Sequence, residues 1–341
     1  MSVASTLGSP IAVRSSRGDY SVVQIPRSLL FEGLDAIVTD AHVAAAIGPV
    51  PVPHLILPPG EATKSLARYG EVLAWMARQG LHRRSLVGAL GGGVIGDLVG
   101  FAAATYMRGM RYVQIPTTLL AMVDSSVGGK VAVDLPEGKN LVGAFHPPVE
   151  VRLDLSTLVT LPPREINAGM AEILKTFAIS DAREIRRLAA GGADRELAEI
   201  VPECIEFKRR IVEADEDETL GIRAILNFGH TIGHAIEAVT GYERFLHGEA
   251  IAIGMVAEAR LGERLGITEA GATRLLGPIL ARHRLPTELP DDLDPEELLA
   301  AMRRDKKARE GRLAFSLLED FGSARLVENV QEDAVREVLR G

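Results

Sequence analysis

Short apolar runs alternate with turns and with longer periodic segments over the first 154 residues. Runs rich in β-branched residues predict strands at YSVVQI, AIVTD, HLILPPG, SLVGAL and YVQIP. Apolar positions with a helical period predict a helix over residues 64–78. Because strands that alternate with helices are typical of a parallel sheet with crossover connections, we predict an N-terminal Rossmann-like α/β domain.

The pattern changes after Leu161, where strand signals nearly vanish and long helical periods follow one another. Pro162 and Pro163 precede a periodic run and mark the start of a helix. One late apolar stretch, GRLAFSLL, is the exception and resembles a strand. We therefore predict a domain boundary near residue 160, with an α/β domain over 1–160 and a mainly helical domain over 161–341.

Composition and charge narrow the class of partner. The chain has 341 residues, 46 acidic against 38 basic side chains and a net charge of −8, which disfavours nucleic acid or an anionic membrane as its main partner. The most apolar region is interrupted by Asp97 and several glycines, so we expect no membrane segment. A single cysteine, Cys204, and an N-terminus without a signal-peptide pattern favour the cytoplasm. These features predict small-molecule chemistry.

A glycine-rich turn, GALGGGVIGD, follows the predicted strand SLVGAL. Gly91, Gly93 and Gly96 have the G-x-G-x-x-G spacing, which lets backbone N–H groups and a helix N-terminus approach a pyrophosphate. An ordinary tight strand-to-helix turn is the alternative. The acid that such folds place about 20 residues further on is replaced by IPTTLL. We therefore predict a nucleotide held in a variant manner, with Thr117 and Thr118 as polar contacts.

Other polar groups near this turn favour an anionic ligand. The turn PPGEATK offers Glu61 and Lys64, although it also fits a plain helix start. A predicted hairpin, DSSVGGKVAVDLPEGKNLVGAF, presents Lys130, Lys139 and Asn140, which together suit a phosphate. Lysines that only aid solubility are the alternative for the hairpin.

The segment RAILNFGHTIGHAIE predicts an amphipathic helix with an unusual polar face. Its polar residues are spaced 4, 3 and 4 and so share one face: Arg223, Asn227, His230, His234. Gly229 and Gly233 would each cost about 0.8–1 kcal/mol relative to alanine inside a helix. A face that merely contacts water does not need them, so we expect another group to approach this backbone closely.

Histidines at positions i and i+4 suggest a metal site. On spacing alone, His230, His234 and His247 form the ligand set, with Glu249 or Glu172 as a possible carboxylate. Glu172 and Lys175 share a helix face and have a surface ion pair as their alternative. The spacing leaves the ligand set open.

Taken together, these motifs resemble the 3-dehydroquinate synthase family. The resemblance runs in order through most of the chain: PGEATK, GGGVIGD, YMRGMRYVQIPTTLLAMVDSSVGGK, PEGKNLVGAF, AEILK, DEDETLGIRAILNFGHTIGHAIE, LHGEA, RRDKKARE. It implies a homodimer with an NAD-binding α/β domain, a helical metal-binding domain and an active site in the cleft between them. It also implies phosphate-eliminating cyclisation of 3-deoxy-D-arabino-heptulosonate 7-phosphate, in the shikimate pathway of aromatic amino acid biosynthesis.

The resemblance assigns the cofactor groups residue by residue. The divalent metal, zinc or cobalt, falls to Glu172, His230 and His247, which moves His234 from metal to substrate phosphate. The NAD contacts are the following: Gly60, Glu61, Lys64, Gly93, Val94, Ile95, Gly96, Asp97, Thr117, Thr118, Asp124, Lys130, Lys139, Thr157, Leu158, Thr160.

The substrate groups are assigned in the same way. The phosphate is expected to contact Lys130, Asn140, Asn227, His234 and Arg108 of the partner subunit. The substrate carboxylate is expected to contact Lys208, Arg223 and Lys306, or its neighbour Lys307. The implied catalytic residues are Lys130, Lys175, Arg223, Asn227, His234.

Three rival functions are weighed against this one. A related cyclase that acts on a sugar phosphate without a carboxylate would not need Lys208, Arg223 and Lys306. An iron-dependent alcohol or glycerol dehydrogenase would leave Lys130 and Lys139 unexplained. A silent nucleotide-binding regulator would not need an intact set of metal ligands.

Overall fold

The computed structural model describes residues 9–304 and 313–340 and divides the chain at Pro162 and Pro163 into two units. The strands of the first unit are β1 Ile11–Val13, β2 Tyr20–Gln24, β3 Ala36–Asp40, β4 His54–Leu57, β5 Leu86–Gly91, β6 Arg111–Pro116, β7 Lys130–Leu135, β8 Gly138–Phe145 and β9 Glu150–Leu153. Its helices are α1 Ala41–Ile47, α2 Leu66–Arg78 and α3 Gly93–Thr105. Every strand predicted for this half is present.

The main sheet of the first unit has the order β1-β2-β9-β6-β5-β3-β4, and only the β1–β2 pair is antiparallel. From β3 the chain continues to β4 at one edge of the sheet, whereas from β5 it continues in the opposite direction to β6. The turn after β5 therefore lies at the topological switch point, where open α/β sheets bind ligands. The Rossmann-like prediction is confirmed.

Apolar residues of β3, β5, α2 and α3 form the main core of this unit, and fully buried Val38, Val87, Leu98 and Val99 lie within it. Local signals fix the helix starts. Asp40 accepts hydrogen bonds from the backbone N–H groups of His42 and Val43, and Ser65 accepts one from Arg68. The helices α1 and α2 therefore begin directly after their N-cap residues, Asp40 and Ser65.

The second unit is mainly helical, as predicted. Its elements are α4 Pro163–Ser180, α5 Ala182–Ala189, α6 Leu197–Ala214, α7 His230–Val239, α8 His247–Arg264, α9 Ala272–Arg282, α10 Pro295–Arg304, β10 Leu313–Asp320, β11 Ser323–Val330 and α11 Glu332–Leu339. The strand predicted at GRLAFSLL is β10, which pairs with β11. None of the helices described combines the length and hydropathy needed to cross a bilayer.

One prediction about this unit is wrong. Residues 223–227 form a separate 3-10 turn, and Gly229, with φ +81°, interrupts the chain before α7 begins at His230. Arg223 and Asn227 therefore do not share a helical face with His230 and His234. The spacing is compatible with one helix, but a left-handed residue ends any right-handed helix.

The close approach expected at the two glycines is confirmed. A Cβ on Gly229 would lie 2.6 Å from Met255 Cγ, and one on Gly233 would lie 2.6 Å from Ile251 Cδ1. Both neighbours belong to α8, so the glycines allow α7 and α8 to pack with their backbones nearly in contact. Gly229 lies against Met255 and Gly233 lies against Ile251, so the residue order runs in opposite directions and the two helices are antiparallel.

Candidate metal and nucleotide sites

Three side chains of the second unit converge as a candidate metal site. Glu172 lies in the middle of α4, whereas His230 and His247 are the first residues of α7 and α8. Their potential ligand atoms all lie within 4.8 Å of one another. Glu172 Oε1 is 3.7 Å from His230 Nε2 and 3.6 Å from His247 Nε2. Ligand atoms bound to one tetrahedral ion at about 2.0–2.1 Å lie roughly 3.4 Å apart, so these distances suit a metal.

Neighbouring groups orient both imidazoles. His230 Nδ1 donates to the carbonyl oxygen of Phe228 at 3.2 Å, and His247 Nδ1 lies 3.3 Å from Glu237 Oε2. Each contact places a proton on Nδ1 and turns Nε2 towards Glu172, the arrangement that is usual for metal-binding histidines. Glu237 was not identified from the sequence, where it resembles any acid on an amphipathic helix.

The carboxylate of Glu172 is only 1% exposed, and its Oε1 accepts no hydrogen bond within the described residues. A buried carboxylate oxygen without a partner is costly, and a cation would satisfy it. Burial by itself would raise the pKa of Glu172, but Lys175, 2.5 Å away, and His247 lower it to about 2. The side chain is therefore an anion at neutral pH, and the donor set fits a divalent ion.

The pKa values of His230 and His247 shift in opposite directions. Burial, reinforced by the charge of Lys175, holds the pKa of His230 well below its usual value, so its imidazole is neutral. Burial also lowers the pKa of His247, but Glu237 and Glu172 more than offset this effect and raise it to about 10. In the metal-free protein, His247 is therefore the cation that faces Glu172.

His234 lies beside this triad. Its ring centroid is 5.2 Å from that of His230 and 5.9 Å from that of His247. It also belongs to a second group of potential ligands, with Glu237 and His247. Geometry alone therefore keeps His234 available for either the metal or an adjacent ligand.

Buried cations form a second feature of this unit. Lys175, Lys208 and Arg223 are 2%, 8% and 4% exposed. The backbone N–H of Arg223 donates to Asp215 Oδ2 at 3.1 Å, and its Nε lies 3.4 Å from Glu218 Oε1. These two acids position Arg223 and were missed from the sequence, which showed only an acidic loop. Lys306 and Lys307 lie outside the described residues.

The segments predicted to contact NAD follow the carboxyl ends of parallel strands. Gly91 at the end of β5 pairs with Pro116 at the end of β6, and Thr117 N donates to Gly91 O. The Thr117 hydroxyl is buried and has no hydrogen-bond partner among the described residues. Thr157 lies in a 3-10 turn that follows β9, and Gly60, with φ +96°, follows β4. These segments therefore share one edge of the sheet.

Polar groups at this edge contact one another. Lys64 Nζ is 2.5 Å from Asp97 Oδ2 and 2.5 Å from Asn140 Oδ1, while Lys139 Nζ is 3.3 Å from Glu61 Oε1. Burial would lower the pKa of Lys64, but Asp97 and then Glu61 offset it and raise the pKa above its usual value. Lys64 is therefore charged at neutral pH.

The predicted hairpin is present as β7 and β8, but its two lysines do not lie side by side. Lys130 pairs with Phe145 at the open end, whereas Leu135 pairs with Gly138 beside the turn, next to Lys139. The register therefore places the backbones of the two lysines near opposite ends of the hairpin.

The other residues predicted to contact NAD or substrate differ in how far they are buried. Ile95 and Leu158 are buried at 1% and 8%, so only their backbones are available to a ligand. Asp124 and Thr118 are half-buried in the segment after β6, and Val94 in the first turn of α3 is half-buried too. Arg108 is exposed and has φ +63°, directly after Met107 with φ +50°.

Known proteins are similar to this chain over most of its length. Family models described as 3-dehydroquinate synthase N-terminal and C-terminal match residues 54–168 and 169–308. A 3-dehydroquinate synthase of Xanthomonas axonopodis pv. citri (strain 306) is 49% identical over 301 residues, which cover 85% of this chain and 81% of the relative.

Two solved structures extend the comparison. A 2-deoxy-scyllo-inosose synthase complexed with carbaglucose-6-phosphate, NAD+ and Co2+ has a TM-score of 0.82 and 28% identity, over 97% of this chain and 99% of its own. A 2-epi-5-epi-valiolone synthase from Streptomyces hygroscopicus subsp. jinggangensis 5008, with NAD+ and Zn2+ bound, has a TM-score of 0.83 and 28% identity, over 96% and 97%.

Proposed function

This chain belongs to the 3-dehydroquinate synthase family, and we propose that it converts 3-deoxy-D-arabino-heptulosonate 7-phosphate to 3-dehydroquinate and phosphate with bound NAD and one divalent metal ion. The observation that carries the proposal is the convergence of Glu172, His230 and His247 on one point in a chain that matches the family from residue 54 to residue 308. The reaction is a step of the shikimate pathway.

Each proposed cofactor supplies one kind of chemistry. Glu172, His230 and His247 would hold a divalent ion, which would supply Lewis-acid chemistry for polarising and orienting substrate hydroxyls. Bound NAD would supply reversible hydride chemistry at a substrate hydroxyl, and because the nucleotide would end each turnover oxidised, the net reaction would be that of a phosphate-eliminating lyase. Zinc and cobalt both suit a set of two imidazoles and one carboxylate.

The protein's own residues bind and orient the two charged ends of the substrate. Lys208 and Arg223 are buried cations and would hold the carboxylate, together with Lys306 or Lys307. Desolvation strengthens such charge-assisted hydrogen bonds, and the fork of Arg223 suits a planar carboxylate. Lys175 would keep Glu172 ionised beside the reacting hydroxyls.

The phosphate would contact a separate group of polar residues: Lys130, Asn140, Asn227, His234 and Arg108 of the partner subunit. Asn227 Nδ2 donates one of its two hydrogens to Ala224 O, which leaves the second hydrogen for a phosphate oxygen. Holding the phosphate near the carbon that loses a proton would let a phosphate oxygen accept that proton. The residues therefore orient a reaction in which the substrate supplies its own base.

Nucleotide binding is assigned to the carboxyl edge of the parallel sheet. The glycine turn at Gly93–Asp97 and the unpartnered hydroxyl of Thr117 support this assignment. A homodimer in the cytoplasm is part of the same proposal, since Arg108 would reach the active site of its partner.

A related cyclase is the second candidate, because the two solved structures compared above are such enzymes. The buried cations Lys208 and Arg223 favour a substrate with a carboxylate. An alcohol dehydrogenase is the third candidate, and it would accumulate NADH.

One assay separates these functions. The purified protein is incubated with the heptulosonate phosphate, NAD and Co2+ or Zn2+, and released phosphate and NADH are followed together. We expect stoichiometric phosphate and 3-dehydroquinate with no lasting NADH. Lasting NADH from a simple alcohol, or turnover only of sugar phosphates without a carboxylate, would contradict the proposal.

A further inference from the structure

The N-terminus of α7 is capped by an acid from another helix. Helix starts expose backbone N–H groups that need acceptors, and a side chain at the N-cap position usually supplies one. In α7 that position is Gly229, which has no side chain and cannot gain one. A Cβ there would lie 2.6 Å from Met255 Cγ and 2.9 Å from Met255 N.

Glu258 of α8 takes over the capping role. Its Oε2 accepts from Gly229 N at 2.7 Å, and its Oε1 accepts from Ile232 N at 3.1 Å. The side chain is fully buried, with an exposure of 0%. Both oxygens of one carboxylate therefore bind the first turn of α7, and the negative charge lies at the positive end of the helix dipole.

This contact bears directly on the candidate metal site. His230 is the first residue of α7, and His247 is the first residue of α8, the helix that carries Glu258. Glu258 follows His247 by about three helical turns, on nearly the same face. It thereby fixes the start of α7, and with it His230, against the helix that presents His247.

We propose that Glu258 is a positioning residue for the metal: it does not touch the ion but holds His230 at the distance from His247 and Glu172 that the ion requires. The inference rests on the proposed metal site. Groups that orient metal ligands typically change metal affinity about 10–100-fold when they are removed. A loss of this size is expected here because His230 belongs to the same turn that Glu258 binds.

The chain offers a matched control on the same helix. Glu263 of α8 accepts from Gly271 N at 3.0 Å and from Thr273 N at 2.9 Å, and so caps α9. Gly271 has φ +97° and is the N-cap of α9, as Gly229 is of α7. The helix α9 contains none of the three proposed metal ligands. The N–H groups of Gly271 and Thr273 both bind the single oxygen Oε1, so Glu263→Gln removes the charge of a comparable cap without disturbing the proposed metal site.

The experiment compares Co2+ affinity in the wild-type protein, Glu258→Gln, Glu258→Asp and Glu263→Gln. Glutamine offers one acceptor oxygen for two N–H groups, and aspartate keeps the charge but is too short to reach both. Affinity is measured by competition with a chelator, and the visible absorption of bound Co2+ reports its coordination geometry. Thermal unfolding of each metal-free protein reports the purely structural loss.

We expect Glu258→Gln to weaken Co2+ binding about tenfold or more with an altered spectrum, Glu258→Asp to weaken it by a smaller factor, and Glu263→Gln to stay within about twofold of wild type. Affinities within about twofold for Glu258→Gln, or an equal loss for Glu263→Gln, would overturn the proposal. If Glu258→Gln does not fold, the Co2+ affinity of Glu258→Asp tests the proposal instead. An unchanged affinity in Glu258→Asp would exclude positioning of His230 through these hydrogen bonds. Wild-type protein that binds no Co2+ would instead refute the metal site itself.

Discussion

His247 contacts two carboxylates, with Glu237 at Nδ1 and Glu172 at Nε2. These acids raise the pKa of His247 to about 10 against the opposing effect of burial, so the metal-free protein carries a proton where a metal would bind. Because this pKa is higher in the folded than in the unfolded metal-free chain, protonation of His247 stabilises the fold. The stabilisation is fully present below the ordinary histidine pKa of 6.5 and is lost as the pH rises through about 10.

Metal binding should therefore release protons. Glu172, with a pKa of about 2, and His230, with a lowered pKa, are already deprotonated at neutral pH, so His247 alone must lose a proton. We expect about one proton released per ion at pH 7, and an apparent affinity that falls about tenfold for each pH unit below 10. Titration calorimetry in two buffers of different ionisation enthalpy measures the release. Heats that do not depend on the buffer would contradict this expectation.

A variant at Glu237 tests what raises the pKa of His247. Glu237→Gln removes the largest contribution that raises the pKa of His247. The pKa should fall, so fewer protons should be released when the metal binds at pH 8 than in the wild-type protein. Equal release in the two proteins would show that Glu237 does not set this pKa.

The residues that touch the proposed ligands could be predicted from the sequence, but those that orient them could not. Glu172, His230 and His247 stand in specific motifs. Asp215, Glu237 and Glu258 stand in helices or loops where an acid is ordinary. Their roles depend on which backbone or imidazole lies opposite, and this is decided by the packing of distant segments.

At the level of elements, α7 and α8 pack unusually closely. A Cβ on Gly254 would lie only 2.0 Å from Gly229 O, so both helices need glycine where they cross. The strands and the turn after β5 were predictable because their patterns are local. The break before α7 was not, since the spacing of Arg223, Asn227 and His230 also fits a continuous helix and only packing against α8 decides between the two.

This packing predicts unequal effects of two alanine substitutions. Gly229→Ala adds a Cβ at 2.6 Å from Met255 Cγ in a left-handed residue, so we expect a loss of about 3 kcal/mol or more. Gly241 is also left-handed, with φ +67°, but has open space around it, so Gly241→Ala should cost about 1–2 kcal/mol. Urea unfolding of both variants provides the measurement. Similar losses would show that crowding at α8 does not matter.

For the whole molecule, the proposal divides the chemistry between two units and two subunits. The first unit has the sheet edge suited to a nucleotide, and the second has the metal triad and the buried cations. Arg108 is exposed, and it and Met107 both have left-handed backbones, which cost free energy unless other contacts stabilise them. The proposed role of Arg108 in the partner's active site would account for this arrangement.

Hybrid dimers test this role. Arg108→Ala and His247→Ala should each be inactive alone, but a hybrid of the two contains one active site in which both residues are native. After dissociation and reassociation of an equal mixture, we expect about a quarter of wild-type phosphate release. A mixture of His230→Ala and His247→Ala should stay inactive, because both residues belong to one metal site. No recovery in the first mixture would place Arg108 outside the partner's site.

The central claim is that one divalent ion is bound by Glu172, His230 and His247. Anomalous diffraction from crystals grown with Co2+ and NAD tests it most directly. The account predicts a single cobalt peak about 2.0–2.2 Å from a Glu172 oxygen and from the Nε2 atoms of His230 and His247. A peak bound by His234 and Glu237 instead, or one remote from all three side chains, would contradict it.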